Sequence, residues 1–470
     1  MKDTERFDNS INPAVFHILR TLGILILLAI VLFSATSAVT FCLGLFADGN
    51  HVVQLPWQES PIVSIQEITA AQKPETIDPS KVVEIARANI AVAGDIMLHM
   101  PIVRTNQTSD GYNFDQAFSH VKRYIDSADY GVVNLETTLS GTDGGREYTG
   151  APNFNSPDAI ALSAKQAGFD MMLTGNEHCY DYGTTGLKRT LSVLKGYSLA
   201  TLGTLENKDD SRYLIQSVGG VKVGMVCYTA ATIDDSGSTL TLNNLKTDST
   251  AAGLINAFDY HKLSQFYTEL EGQISTMRTG GADAIVVFIH WGDEYNLNVN
   301  DNQKAIAQKL CDLGVDVIVG SHPHVVQPID LLTSSADPDH KTVCLYSTGN
   351  FLSNLRVDTT PMGTSHCEDS VILNFTLNKY SDGTVQITAV SLLPTWVMVD
   401  GTGATRDFYI LPLDQSITDW KSAYTLTDQQ LSDAKGSYNR TMAIVTPGLN
   451  KIATYLSEEG TFLDPSMGVG

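Results

Sequence analysis

The chain reads as an α/β protein with a mixed rather than purely parallel sheet system, preceded by one membrane-spanning segment. Three observations predict this. Short apolar runs recur from Asn89 onward, each closing on Gly or a polar residue; helical patterns separate several of them; and two other runs fold back around Gly-containing turns. Continuous apolar strands alternating with helices imply a sheet whose faces are both covered.

The first element is Thr21–Phe46, which contains no charged residue. A bilayer core needs about 20 apolar residues, so this run can span it. Lys2, Arg6 and Arg20 precede it and Asp48 is the first charge after it. That bias places residues 1–20 in the cytoplasm and everything beyond Phe46 outside the cell membrane, as a single-pass protein. A cleavable signal peptide is the rival, since Ala35–Ala38 offers small residues, yet the apolar run continues through Val39, Phe41 and Leu45. Either way the bulk of the chain is exported. Residues 47–88, with Pro56, Pro61, Pro74 and Pro79, read as an extracytoplasmic tether with one helix near Pro79–Ala88.

The main domain is expected over residues 89–400. Its strands are Ile90–Asp95, Tyr130–Glu136, Phe169–Asn176, Ala284–Gly292, Val315–His324 and Val343–Phe351; helical patterns cover Phe114–Ile125, Pro157–Ala167 and Asn302–Leu313. Ser156-Pro157 has the form of an N-cap followed by proline at the first helical position. Tyr213–Tyr228 reads as a hairpin turning at Gly219-Gly220, and Val371–Val390 as another turning at Asp382-Gly383. Residues 401–470 form a polar extension with a helix near Thr427–Ala434 and no legible role.

Composition narrows the function. The 30 Lys and Arg against 52 Asp and Glu give a net charge of −22, which repels a polyphosphate backbone and argues against nucleic acid as the ligand. The same field attracts cations. Six scattered cysteines form no C-x-x-C, so they read as free, mostly buried thiols.

The chemistry sits at the strand ends. Asp95, Glu136, Asn176, His290, His322 and His324 each close an apolar run, where α/β sheets bind ligands. Oxygen and imidazole donors converging there form a metal site. In His322-Pro323-His324, an extended segment would project both imidazoles to one side. A carboxylate such as Glu136 after Gly131–Leu135 is costly unless paired or metal-bound.

The runs Ala93–Met97, Asn134–Glu136, Gly175–Gly183, His290–Glu294, Gly320–Val325 and Tyr346–Phe351 together resemble, in order, the motifs of the CapA family, named for a poly-γ-glutamate capsule biosynthesis protein and part of the calcineurin-like metallophosphatase superfamily. The resemblance implies a four-layer α/β/β/α sandwich, two divalent metal ions (Mn, Zn or Fe) and a membrane-anchored extracytoplasmic protein. It makes Asp95 a ligand of the first metal, Glu136 the bridging carboxylate, His324 a ligand of the first metal, and His290 and His322 ligands of the second. Met97 stands where the superfamily usually has a histidine, which implies a weaker first site. In the third motif either Asn176 or Glu177 ligates, and His178 resembles the catalytic histidine that stabilises the transition state. Asp181, Glu294 and Asn350 resemble supporting residues. Two such metals lower the pKa of a shared water for in-line attack on phosphorus. The implied partners are capsule synthesis or export membrane proteins and an anionic polymer or small phosphoester. Two readings follow: a capsule component carrying this site, or a cell-envelope phosphoesterase or non-catalytic assembly component.

Overall fold

A computed structural model describes residues 82–458 except 361, 404 and 405. The expected membrane span at 21–46, residues 1–20 and the tether through residue 81 lie outside the described residues. Among the described residues, no helix is long and apolar enough to cross a membrane.

Two sheets carry the fold. The strands used below are, in chain order, β1 (Glu84–Ile96), β2 (Tyr130–Leu135), β3 (Met171–Leu173), β4 (Ala200–Leu202), β5 (Tyr213–Val218), β6 (Val221–Ala230), β7 (Ala257–Phe258), β8 (Ala284–His290), β9 (Val317–Ser321), β10 (Ile329–Thr333), β11 (Lys341–Leu345), β12 (Asn350–Leu352), β13 (Asp369–Tyr380), β14 (Val385–Asp400) and β15 (Asp407–Pro412). The first sheet runs β15-β14-β13-β1-β2-β3-β4, with β12 paired to the end of β1; the second runs β7-β6-β8-β9-β11-β10, with β5 on β6. β1 to β4 are parallel, whereas β13, β14 and β15 are antiparallel, so the sheet is mixed.

The layers follow from which residues alternate strands bury. Ile90, Val92, Val132 and Met171 face Val223, Met225, Val286 and Val317 in a core between the two sheets. Ala91, Ala93, Val133 and Met172 point the other way, onto Phe114, Phe118 and the helix α1 (Ala159–Gln166). On the outer face of the second sheet, Ile285, Val287 and Ile289 pack against α3 (Leu263–Thr279) and α4 (Asp301–Asp312). Between α1 and α3 in sequence lies α2 (Gly183–Gly196). Helix, sheet, sheet, helix is the order of the layers, because the central strands are apolar on both faces.

Local expectations fare unevenly. Both hairpins form, at Gly219-Gly220 and at Asp382-Gly383. The helix expected near Pro79–Ala88 does not: residues from Glu84 are strand, because they pair antiparallel with Leu377–Tyr380 of a long partner. The pattern Phe114–Ile125 splits into two short helices, Asp115–Phe118 and Lys122–Asp126. Ser156 does not cap a helix; its hydroxyl meets that of Thr137, and α1 begins two residues later than Pro157. At α4 the N-terminus is secured by a capping box of Asn300 and Gln303.

The helix read near Thr427–Ala434 is far longer. α5 (Asp428–Glu458) continues through Pro447 and lies on β14 and β10. Arg440 grips Asp369 at 2.8 and 2.9 Å, and Val445, Ile452 and Leu456 join the inter-sheet core. The closest approach is at Gly448, where a Cβ would lie 1.6 Å from the carbonyl oxygen of Ile329. Gly448→Val should therefore cost at least about 1–3 kcal/mol through overpacking. Thermal denaturation of the purified protein checks this; an unchanged midpoint would show that the helix is not docked there.

Candidate metal centre

The carboxyl ends of β1, β2, β8 and β9 meet at one edge of the inter-sheet space. Asp95 arrives through a register shift between Ala93 and Asp95, where β1 bulges against β2. Bulges re-aim side chains beside functional sites. Gly94 makes this possible: a Cβ there would lie 2.0 Å from the Gly349 carbonyl oxygen. The close approach lets β12 pair with the end of β1, placing Asn350 opposite Asp95.

Three groups of donors result, the atoms of each lying within 4.8 Å of one another: Glu136, Glu177, His290 and His322; Asp95, Glu136 and His324; Glu177, Glu294 and His324. Glu136 belongs to the first two. Its Oε1 lies 3.5 Å from His290 Nε2 and 3.8 Å from His324 Nε2. Asp95 Oδ2 lies 3.6 Å from His324 Nδ1. His322 Nδ1 lies 3.2 Å from both His290 Nε2 and Glu177 Oε1.

Asn134 holds the two buried acids. Its amide donates to Asp95 Oδ1 at 2.8 Å and Glu136 Oε2 at 3.2 Å. The other oxygen of each, Asp95 Oδ2 and Glu136 Oε1, has no hydrogen-bond partner among the described residues, and both residues are 0% exposed. Burial, reinforced by the charges of Asp95, Glu177 and Glu294, pushes the Glu136 carboxyl well above its ordinary range. Orphaned carboxylate oxygens facing imidazoles are costly to bury without a cation. The 3.2 Å between His290 and His322 nitrogens also matches two imidazoles bound at about 2.0–2.1 Å to one ion. The residues fit a divalent metal.

Between Asn176 and Glu177, the geometry favours Glu177 as donor. The Asn176 amide is spent on Asn134 Oδ1 and the Leu135 carbonyl, and its oxygen accepts from the His178 backbone N–H at 3.2 Å. Burial works against the Glu177 charge, but His322, His290 and His178 outweigh it and hold the carboxyl well below the usual range. Burial keeps His290 neutral, helped by His322; burial also opposes charge on His322, but Glu177 raises it to about 9. Glu294, expected as a supporting residue, offers its own carboxylate to the third group. Asn350 does support: its oxygen meets His324 Nδ1 at 3.1 Å, while its amide donates to the His324 and Cys367 carbonyls.

His178 lies beside these groups. Its Nδ1 meets Asp181 Oδ2 at 2.7 Å, and its Nε2 edge faces Glu177 Oε1 at 3.9 Å. Asp181 also accepts from the Phe154 N–H at 2.7 Å.

His322 and His324 reach the site by a different route from the one expected. They are not in an extended segment: φ is +95° at His322 and +56° at His324. Two left-handed non-glycine residues flanking a proline store strain of the kind kept at functional sites. Met97 is buried with Phe154, Val325, Leu355 and Cys367 rather than turned to the acids. Two residues were given no role from the sequence. Asn134 was legible by period, lying two before Glu136 on the same face of β2. His99 was not: burial pushes it down to about 4, its ring meets Phe154 edge-on at 5.2 Å, and its Nδ1 accepts from the Asn354 N–H at 3.2 Å.

Fold and site together define an α/β protein with a candidate metal centre built from strand-end carboxylates and imidazoles. Residues 89–355 match the family described as bacterial capsule synthesis protein PGA_cap, and the chain belongs to that family. It is 28% identical to the capsule biosynthesis protein CapA of Bacillus anthracis over 71% of this chain and 74% of that one. It is 26% identical to the PGA biosynthesis protein CapA of Bacillus subtilis over 64% and 70%. A calcineurin-like phosphoesterase structure from Bacillus subtilis aligns with a TM-score of 0.37 at 14% identity, covering 66% of this chain and 90% of that one.

The orphaned acids make a stability prediction. Glu136→Gln removes one of two adjoining buried charges, so the chelator-treated protein should be at least as stable as wild type. Wild type should gain about 2.7 kcal/mol at a metal concentration of 100 Kd, and the variant should gain far less. Denaturation with and without Mn²⁺ decides it; equal metal gains would remove Glu136 from the ligand set.

Proposed function

We propose that this chain is a membrane-anchored, extracytoplasmic component of poly-γ-glutamate-type capsule biosynthesis or export, and that its strand-end site binds two divalent metal ions, Mn, Zn or Fe, and hydrolyses a phosphoester. The observation carrying the chemistry is the pair of oxygens on Asp95 and Glu136 that lack a hydrogen-bond partner among the described residues, set against His290, His322 and His324. The names of the relatives from the two Bacillus species support the process. The uncharged run 21–46 with basic residues before it supports the anchor.

Asp95, Glu136 and His324 would hold one ion, and Glu136, Glu177, His290 and His322 the other. When bound, the ions supply Lewis acidity toward a phosphoryl oxygen and lower the pKa of a water. Asn134 keeps both acids oriented by gripping the oxygens that face away from the imidazoles. Asn350 fixes His324. Asp181 fixes His178 with its Nδ1 occupied, leaving Nε2 to hold a proton toward the departing oxygen. The acidic surface slows a polyanion more than a small phosphoester at low salt.

Two variants separate the roles. His322→Ala should lose metal and turnover together, measured by elemental analysis and a panel of phosphomonoesters and phosphodiesters with Mn²⁺ or Zn²⁺. His178→Ala should keep its metal and lose roughly 10²–10⁴-fold in rate. Hydrolysis that survives while capsule formation is indifferent to the site would make the protein an envelope phosphoesterase unrelated to capsule. Capsule dependence on the protein but not on its metal would make it a non-catalytic assembly component.

Membrane fractionation tests the anchor. The full chain should sediment with membranes, and residues beyond Phe46 should be open to external protease in spheroplasts. A soluble form beginning near Val39 would establish a cleaved signal peptide.

A further inference from the structure

A β-hairpin remote in sequence reaches the catalytic histidine. Leu240–Leu242 and Leu245–Lys246 pair antiparallel across a two-residue turn, Asn243-Asn244, with φ of +44° and +60°. Both central residues of such a turn are left-handed, which asparagine tolerates. Leu240 and Leu242 are buried against Leu187 and Leu191 of α2, the helix that starts just after Asp181. One apolar cluster therefore fixes the hairpin and the Asp181 segment together.

We propose that Asn243 is a positioning residue that holds the ring of His178 through Asp181; this rests on the reading of His178 as a catalytic group. The Asn243 Nδ2 lies 2.7 Å from the Pro152 carbonyl oxygen, 3.0 Å from Asp181 Oδ1, 3.2 Å from His178 Nδ1 and 3.3 Å from Asn153 Oδ1. An amide has two protons, and the two shortest contacts take them. The His178 contact is proximity rather than a bond. At 2.7 Å from Asp181 Oδ2, Nδ1 carries the ring proton and has no lone pair to offer. Asp181 is thus held from three sides: Asn243 on Oδ1, and the Phe154 N–H and the imidazole on Oδ2. Phe154 stacks edge-on against the His178 ring at 4.8 Å, so carboxylate and phenyl ring together restrict its rotation. Without the Asn243 amide, Asp181 keeps two partners on one oxygen and is free to swing about them. A misplacement of that kind costs rate without costing metal.

Asn243→Gly deletes the amide and relaxes the turn, so the fold is kept; Asn244→Gly relaxes the turn while leaving Asp181 untouched. In the full-length, metal-free protein, the His178 Nδ1–H gives a proton resonance in nitrogen-edited NMR. It should persist in Asn244→Gly and broaden or shift in Asn243→Gly. With Mn²⁺ bound, Asn243→Gly should lower kcat for phenyl phosphate by roughly 10–100-fold with KM little changed. It should spare p-nitrophenyl phosphate, whose leaving group needs no proton. Added to His178→Ala, it should have no further effect. An unchanged resonance overturns the proposal, as does equal slowing of both esters or additivity with His178→Ala. A changed resonance in a protein with no hydrolytic activity would overturn the phosphoesterase reading and leave the positioning role standing.

Discussion

Everything at the strand ends answers to one electrostatic constraint: two carboxylates, Asp95 and Glu136, are fully buried side by side, with Glu177 and Glu294 beside them. Imidazoles are the groups drawn up against these acids. Such a cluster is unfavourable in isolation, since desolvation and like charge both oppose ionisation. The fold tolerates it because each oxygen and nitrogen that can be satisfied within the protein is satisfied, on one side only. Asp95 and Glu136 each give one oxygen to Asn134 and leave the other bare. His290 gives Nδ1 to the Ser321 hydroxyl and His178 to Asp181, and each leaves Nε2 facing the acids; His324 gives Nδ1 to Asn350, with Asp95 Oδ2 3.6 Å from the same nitrogen, and turns Nε2 to Glu136. Partner groups of this kind set both ring orientation and tautomer at metal sites. His322 is the exception, turning Nδ1 itself toward Glu177 and His290.

Backbone irregularity is concentrated where it serves this arrangement. The bulge at Gly94 turns Asp95 out of the alternation of β1, and the chain just after β9 is left-handed at both His322 and His324. These departures draw on the stability of the buried central strands. Strands buried on both faces, such as β8, whose seven residues are all buried, over-determine the positions of their ends.

The same division explains what the sequence disclosed. Strand existence and a mixed sheet were legible because apolar runs ending in polar residues have few other physical explanations, whereas the layer order came only with the family resemblance. Asp95, Glu136, His290, His322 and His324 could be named because each closes such a run; Glu177 was one of two alternatives raised by the resemblance, and Glu294 was read as a supporting residue. What was not legible depends on partners distant in the chain. Glu84–Ala88 is strand because β13 pairs with it, α5 runs to Glu458 because Gly448 lets it touch β10, and Asn243 meets Asp181 because two leucines fix a hairpin on α2. The His322-Pro323-His324 case is subtler: the right residues converge by a mechanism that alternation does not describe.

Met97 gives the centre an asymmetry. The group around Asp95 has three donors, whereas the group containing Glu177, His290 and His322 has four, both counting Glu136. A thioether is a poor donor to Mn²⁺ and in any case packs into an apolar cluster. His99 is no substitute, because it belongs to none of the donor groups found among the described residues. Both groups share Glu136, so charge brought to one relieves repulsion felt by the other. A cation entering the four-donor group first would neutralise Glu177 and part of Glu136, and the remaining attraction for a second cation at Asp95 would fall accordingly. Two cations held by these groups would be coupled through the one carboxylate they share.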